Sequence, residues 1–129
     1  MIVVLSPAKT LDFETKIPTK RFTVNENSKL SMELIEGLRK LSSKKISTLM
    51  DLSDKLSDLN IERYQIFTEE HHPKNARPAV FTFDGEVANG LDAYHFSDKE
   101  LEVAQNKIRF LSGLYGMLKP LDLIQPYRL

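Results

Sequence analysis

The stretch IVVLSPAKT (residues 2–10) decides how the chain is read. Ile2, Val3, Val4 and Leu5 are all large and apolar, which fits a short strand buried on both faces, where no polar alternation is needed. Pro7 cannot continue a ladder, so the strand opens into a loop. That loop sets Ser6, Lys9 and Thr10 at the carboxyl end of a central strand, where sheet folds tend to place ligands. Lys9 is a candidate phosphate anchor, with Ser6 and Thr10 adding hydrogen bonds. The glycines of a P-loop are missing, so this is no Walker motif, and a turn carrying a solvated lysine fits the same residues.

Working outward, RFTV (21–24) is a candidate edge strand, and AVFTF (79–83) and IRFL (108–111) are two further strands. Leu30, Leu34, Ile35, Leu38 and Leu41 fall at helical spacing behind Asn27 or Ser28 as cap. A second helical region runs from Ser43 to about Phe67, with Ile46, Leu49, Met50, Leu52, Leu56 and Leu59 as its apolar set. Val87 to Leu91 suits a short helix. Ser97 to Glu100 fits a capping box that opens a helix to about Lys107. Strands alternating with helices predict an α/β or mixed α+β fold, a central sheet flanked by helices, in a single domain over residues 1–129.

Composition bounds the function. The 129 residues are 41% hydrophobic and 28% charged, ordinary for a globular domain. There is no cysteine, which excludes disulfides, zinc–thiolate sites and thiol nucleophiles. No window holds the about 18 apolar residues of a membrane span. Residues 2–8 lack the basic flank and cleavage site of a signal peptide, so a cytoplasmic location is expected. Eighteen bases balance eighteen acids, but unevenly: residues 1–45 carry +4, residues 46–104 carry −7 and residues 105–129 carry +3. If folding joins the two ends, a basic face exists despite a neutral total.

Four more stretches carry candidate chemistry. In KKISTLMDLSDKLSDLNIERYQIF (44–67), Ser53 is a natural N-cap for a second helix, giving a helix-hairpin-helix-like element. Such a turn can offer backbone N–H groups to a DNA phosphate, with Lys55 beside it. Its usual glycines are absent, Asp51, Asp54 and Asp58 oppose a polyanion, and a plain αα-hairpin fits as well. EEHH (69–72) reads as a surface loop, because adjacent histidines rarely point at one ion. In FDGEVANGL (83–91), Glu86 is a candidate acid or base, although Asp84-Gly85 is also ordinary turn chemistry. RFLSGLYGMLKPLDLIQPYRL (109–129) offers Arg109, Lys119 and Arg128 as cations, with Tyr115 and Tyr127 as rings able to stack on a base. No catalytic set and no metal site emerges, and no cofactor is expected.

MIVVLSPAKTLDF, KISTLMDLSDKLSDLNIERY and IRFLSGLYGMLKPLDLIQPYRL together resemble the YaaA family of bacterial peroxide-stress resistance proteins, in order and over essentially the whole chain. Family members look about twice this length, so the resemblance implies an N-terminal half. It further implies a cytosolic protein that limits free ferrous iron, and with it hydroxyl-radical damage to DNA. Members are similar to a DNA-binding protein whose mixed α/β fold carries a basic cleft and a helix-hairpin-helix. Carried over, the hairpin falls on Leu52 to Leu56, the family's SPAK on Ser6 to Lys9, and its PYRL arginine on Arg128. Where many relatives have Gly-Asp-Val-Tyr, this chain has Gly85-Glu86-Val87-Ala88, which keeps the acid and loses the ring.

Three functions follow as expectations. The first is binding double-stranded DNA through phosphates without sequence preference, using Ser6, Lys9, Thr10, Ser53, Lys55, Arg109, Tyr115, Lys119 and Arg128. The second is an enzyme on a nucleotide or phosphorylated substrate, with Lys9 and Ser6 on phosphate and Glu86 as base or metal ligand. The third is direct ferrous-iron binding through carboxylates and EEHH.

Overall fold

The structure is a computed structural model describing residues 1–129. Its strands are β1 (Val3–Leu5), β2 (Arg77–Pro78), β3 (Ile108–Ser112), β4 (Gly116–Leu118) and β5 (Leu123–Ile124). Its helices are α1 (Ser28–Arg39), α2 (Ser43–Met50), α3 (Asp54–Ile66), α4 (Glu86–Leu91) and α5 (Asp98–Lys107). The fold is mixed α+β. One sheet has the order β1-β3-β4, with β1 parallel and β4 antiparallel to β3. β2 and β5 form a small antiparallel ribbon.

Leu5, Phe110 and Leu118 share the inner face of the larger sheet. Phe110 and Leu118 are fully buried there, against a core that includes Ile35, Ile46, Phe81, Leu121 and Ile124. Phe110 and Leu118, at roughly 1.5–3 kcal/mol each, together supply an appreciable share of the net stability of a small domain. The antiparallel turn from β3 to β4 requires Gly116 at φ +72°, a left-handed conformation that glycine adopts without cost.

Residues 43–67 resolve into two helices because the first stops at Met50 and Ser53 caps the second. The Ser53 hydroxyl accepts from the Leu56 amide at 3.2 Å, and the carboxylate of Asp54 sits in the first turn. Asp51 closes α2 in the left-handed region at φ 53°. The capping box of α5 forms as read, with Ser97 and Glu100 exchanging bonds at 2.9 and 3.1 Å.

Several expectations are corrected. AVFTF is buried but not a strand: Ala79 and Val80 donate to the Asp122 and Pro120 carbonyls, and a 3-10 turn follows over Ala79–Phe81. The Thr82 hydroxyl bonds the Pro78 carbonyl at 2.7 Å and locks that turn. RFTV contributes a single bridge, Thr23 to Asp122. Leu30, Leu34, Leu49, Leu56 and Leu59 are exposed, not core, and α3 buries Ser57, Asn60 and Tyr64 instead. β1 is an edge strand with exposed side chains, not a strand covered on both faces.

Candidate functional site

Two of the motifs singled out in the sequence lie side by side. The loop after β1 folds onto the start of α4: the Asp84 amide donates to the Thr10 carbonyl at 3.0 Å, and the Asp12 amide to the Thr82 carbonyl at 2.7 Å. Ala8 packs so closely on Gly85 that a Cβ there would lie 3.0 Å from the Ala8 Cβ. Glycine at 85 is therefore a matter of room. This packing leaves Ser6, Lys9 and Thr10 exposed beside exposed Asp84 and Glu86, at the carboxyl ends of β1 and β3.

Asp12 and Arg77, neither singled out from the sequence, hold that loop in shape. Arg77 is buried and donates to the carbonyls of Thr15 (2.6 Å) and Phe81 (2.9 Å) and to the Tyr94 hydroxyl (3.0 Å). The Tyr94 hydroxyl stands 3.2 Å from Asp12 Oδ2, and Asp12 Oδ1 accepts from the Glu14 and Thr15 amides. Burial opposes ionisation of Asp12, but these hydrogen bonds outweigh it and hold the carboxyl well below the usual carboxylate range.

Beside this loop opens a cleft of about 700 Å³, walled by residues 11–15, Asp84, Pro126 and the outer side of α3, including Glu62 and Arg63. Behind Arg63 the terminal PYRL segment is pinned: the Tyr64 hydroxyl donates to the Arg128 carbonyl at 2.7 Å. Burial, and then the positive charge of Arg128, push the Arg63 pKa below its ordinary value. Neither arginine has a carboxylate partner. The ion pairs in the molecule are Arg21–Glu102 and, with the histidine protonated, His95–Asp92. Arg63 thus faces the cleft with the positive charge of Arg128 acting on it and no carboxylate bonded to it. Arg63 lies in NIERY, and nothing in the periodicity marked it.

The remaining candidates fall elsewhere. Arg109 and Lys119 share a small polar pocket of about 270 Å³ with Asn25, Asn27 and Asp122. There Arg109 donates to the Gln105 and Ile108 carbonyls. The lining of that pocket includes Arg109 and Lys119 but none of Ser6, Lys9, Thr10, Lys55 or Arg128. Lys55 is exposed in the first turn of α3, and the Ser53 hydroxyl is occupied as cap.

Tyr115 is corrected outright. It is 1% exposed, and its hydroxyl joins His71 Nε2 at 2.7 Å and the Gln125 amide at 3.0 Å, so its ring is not open to a base. Tyr127 is likewise buried against Ser112. His71 lies inside and not on a surface loop, with Nδ1 donating to the Glu69 carbonyl at 2.9 Å, and both its nitrogens are engaged. That removes it from an EEHH iron site. No group of three or more His, Asp or Glu side chains is arranged to hold a metal ion, and no helix is long and apolar enough to cross a membrane.

The SPAKTLDF loop, the FDGE turn and the PYRL terminus, distant in sequence, thus surround one cleft. The family described as peroxide stress protein YaaA matches the chain over residues 1–129. The chain belongs to the YaaA family. Among similar proteins, a UPF0246 protein of Flavobacterium psychrophilum is 52% identical over 129 residues, covering 100% of this chain and 51% of the relative. A UPF0246 protein of Aliivibrio fischeri is 51% identical and one of Saccharophagus degradans 50%, each with half of its length covered. The chain therefore spans about half the length of the curated relatives it matches.

Proposed function

We propose that this chain serves peroxide-stress resistance in the cytoplasm by binding double-stranded DNA through its phosphates, without reading sequence. The observation that carries the proposal is the Arg63–Arg128 pair. Like charges that act on each other repel, and a phosphate between them turns repulsion into attraction. The guanidinium fork matches phosphate geometry, and half-buried arginines lose less to solvent screening than surface lysines. Lys44, Lys45 and Lys55 on the neighbouring α2–α3 hairpin are exposed and free of ion pairs, so they extend the attraction past the cleft. Lys9, exposed in the loop after β1, adds a further positive charge.

This reading supplies a route to lower iron damage. DNA holds a condensed layer of cations, and ferrous iron in that layer generates hydroxyl radicals at the backbone. A protein that neutralises phosphates releases those counterions. In the intact protein, binding of a labelled random-sequence duplex at low salt is expected to weaken about 10-fold for Arg63→Ala and for Arg128→Ala, equally for all sequences. Unchanged affinity in both variants overturns the assignment.

The cleft itself favours a second reading. Its volume is that of a small-molecule site, and Glu14, Glu62 and Asp84 oppose a long polyanion while leaving Arg63 free for one phosphate. A nucleotide or phosphorylated metabolite would then bind there. A rise in melting temperature that saturates with nucleotide and is lost in Arg63→Ala, without duplex binding, selects this reading.

A further inference from the structure

The outer face of the larger sheet is mostly apolar and uncovered, with Arg109 beside Val4 as its charged member. Val4, Leu111 and Met117 project to that side, opposite Phe110 and Leu118, and Ile2 continues it. Their exposures are 52%, 56%, 43% and, for Ile2, 50%. Val3, on the inner face of β1, is exposed as well. Both faces of β1 are therefore open, and so is its far edge, since β3 is its one neighbour.

Edges that meet water are guarded by charge, proline or a bulge. Ile2 to Leu5 has none of these. An unbroken β-branched run in a parallel pair is the pattern of a strand flanked on each side and covered above and below. A contiguous apolar patch of this kind marks a contact surface.

We propose that residues of the same polypeptide lying beyond this chain cover that face and add a strand alongside β1. Two observations commit the surface to that occupant. The matched relatives carry about as many residues outside the matched region as within it. The Leu129 carbonyl lies where a Gly113 Cβ would be 3.1 Å from it, immediately after β3, so chain continuing from Leu129 starts at the carboxyl end of this sheet.

Hydrogen exchange on the intact wild-type protein tests this without any substitution. In a parallel strand, alternate amides point to opposite sides. Both sets in Ile2–Leu5 are expected to exchange about 100-fold or more slowly relative to an unstructured peptide. Free exchange of the set facing away from β3 overturns the proposal. Val4→Lys, harmless on a bare face, is expected to lower the melting temperature of the intact protein by roughly 5 °C or more, and an unchanged value also counts against it. Protection that appears only at concentrations where light scattering finds a dimer would assign the face to a second copy, which equally overturns it.

Discussion

Tyr115 shows how single residues divide between structure and function. Its hydroxyl donates to His71 Nε2, accepts from the Gln125 amide, and stays protonated because burial pushes its pKa up. Gln125 in turn clamps the backbone of Thr68 through both ends of its amide. Burial, the largest influence, lowers the His71 pKa below its ordinary value of 6.5. The unfolded chain therefore takes up the proton before the folded one does, and stability falls as pH drops from about 6.5 toward the lowered value. Urea titrations between pH 8 and 5 are expected to show that loss, and His71→Gln, which cannot titrate, to flatten it. An unchanged pH profile in His71→Gln would remove His71 as the cause. None of this was legible locally. The partners of His71 lie 44 and 54 residues away, and EEHH looks solvated on its own.

At the scale of elements, what could be read was whatever depends on near neighbours. Ser53 and Ser97 each bond an amide three residues on, so the α2–α3 break and the start of α5 were visible in the sequence. AVFTF was not, because Pro78, the Thr82 hydroxyl and the carbonyls of Pro120 and Asp122 draw its backbone into a turn. Leu56 and Leu59 have helical spacing, but both are exposed, Leu59 on the cleft, and α3 buries Ser57 and Asn60, whose side chains return to carbonyls one turn back. Ser53→Ala is expected to cost about 1 kcal/mol in denaturant unfolding, the usual loss for an N-cap. If Ser53 instead contacted phosphate, DNA affinity would fall and stability would hold.

For the whole molecule, the mixed α+β fold was legible from the alternation of strand and helix, and the grouping of charge was not. Lys9, Arg109, Lys119 and Arg128 looked equivalent in the sequence. Folding sends Arg109 and Lys119 to one pocket, sets Lys9 beside Asp84 and Glu86, and brings Arg128 to Arg63. That last pairing depends on the Tyr64–Arg128 hydrogen bond across 64 residues, which no local pattern encodes. The bare outer face of the sheet belongs to the same scale: a run that reads as buried is exposed in a chain that spans half the length of its relatives.

In the proposed function, Arg63 and Arg128 together hold phosphate. Its most direct test is the salt dependence of duplex binding by the intact protein and by the Arg63→Ala/Arg128→Ala double variant. Each phosphate contact contributes about 0.9 to the slope of log affinity against log salt, so the double variant is expected to be shallower by about 2. A double variant whose slope and affinity match the wild type would rule out phosphate binding by these two arginines.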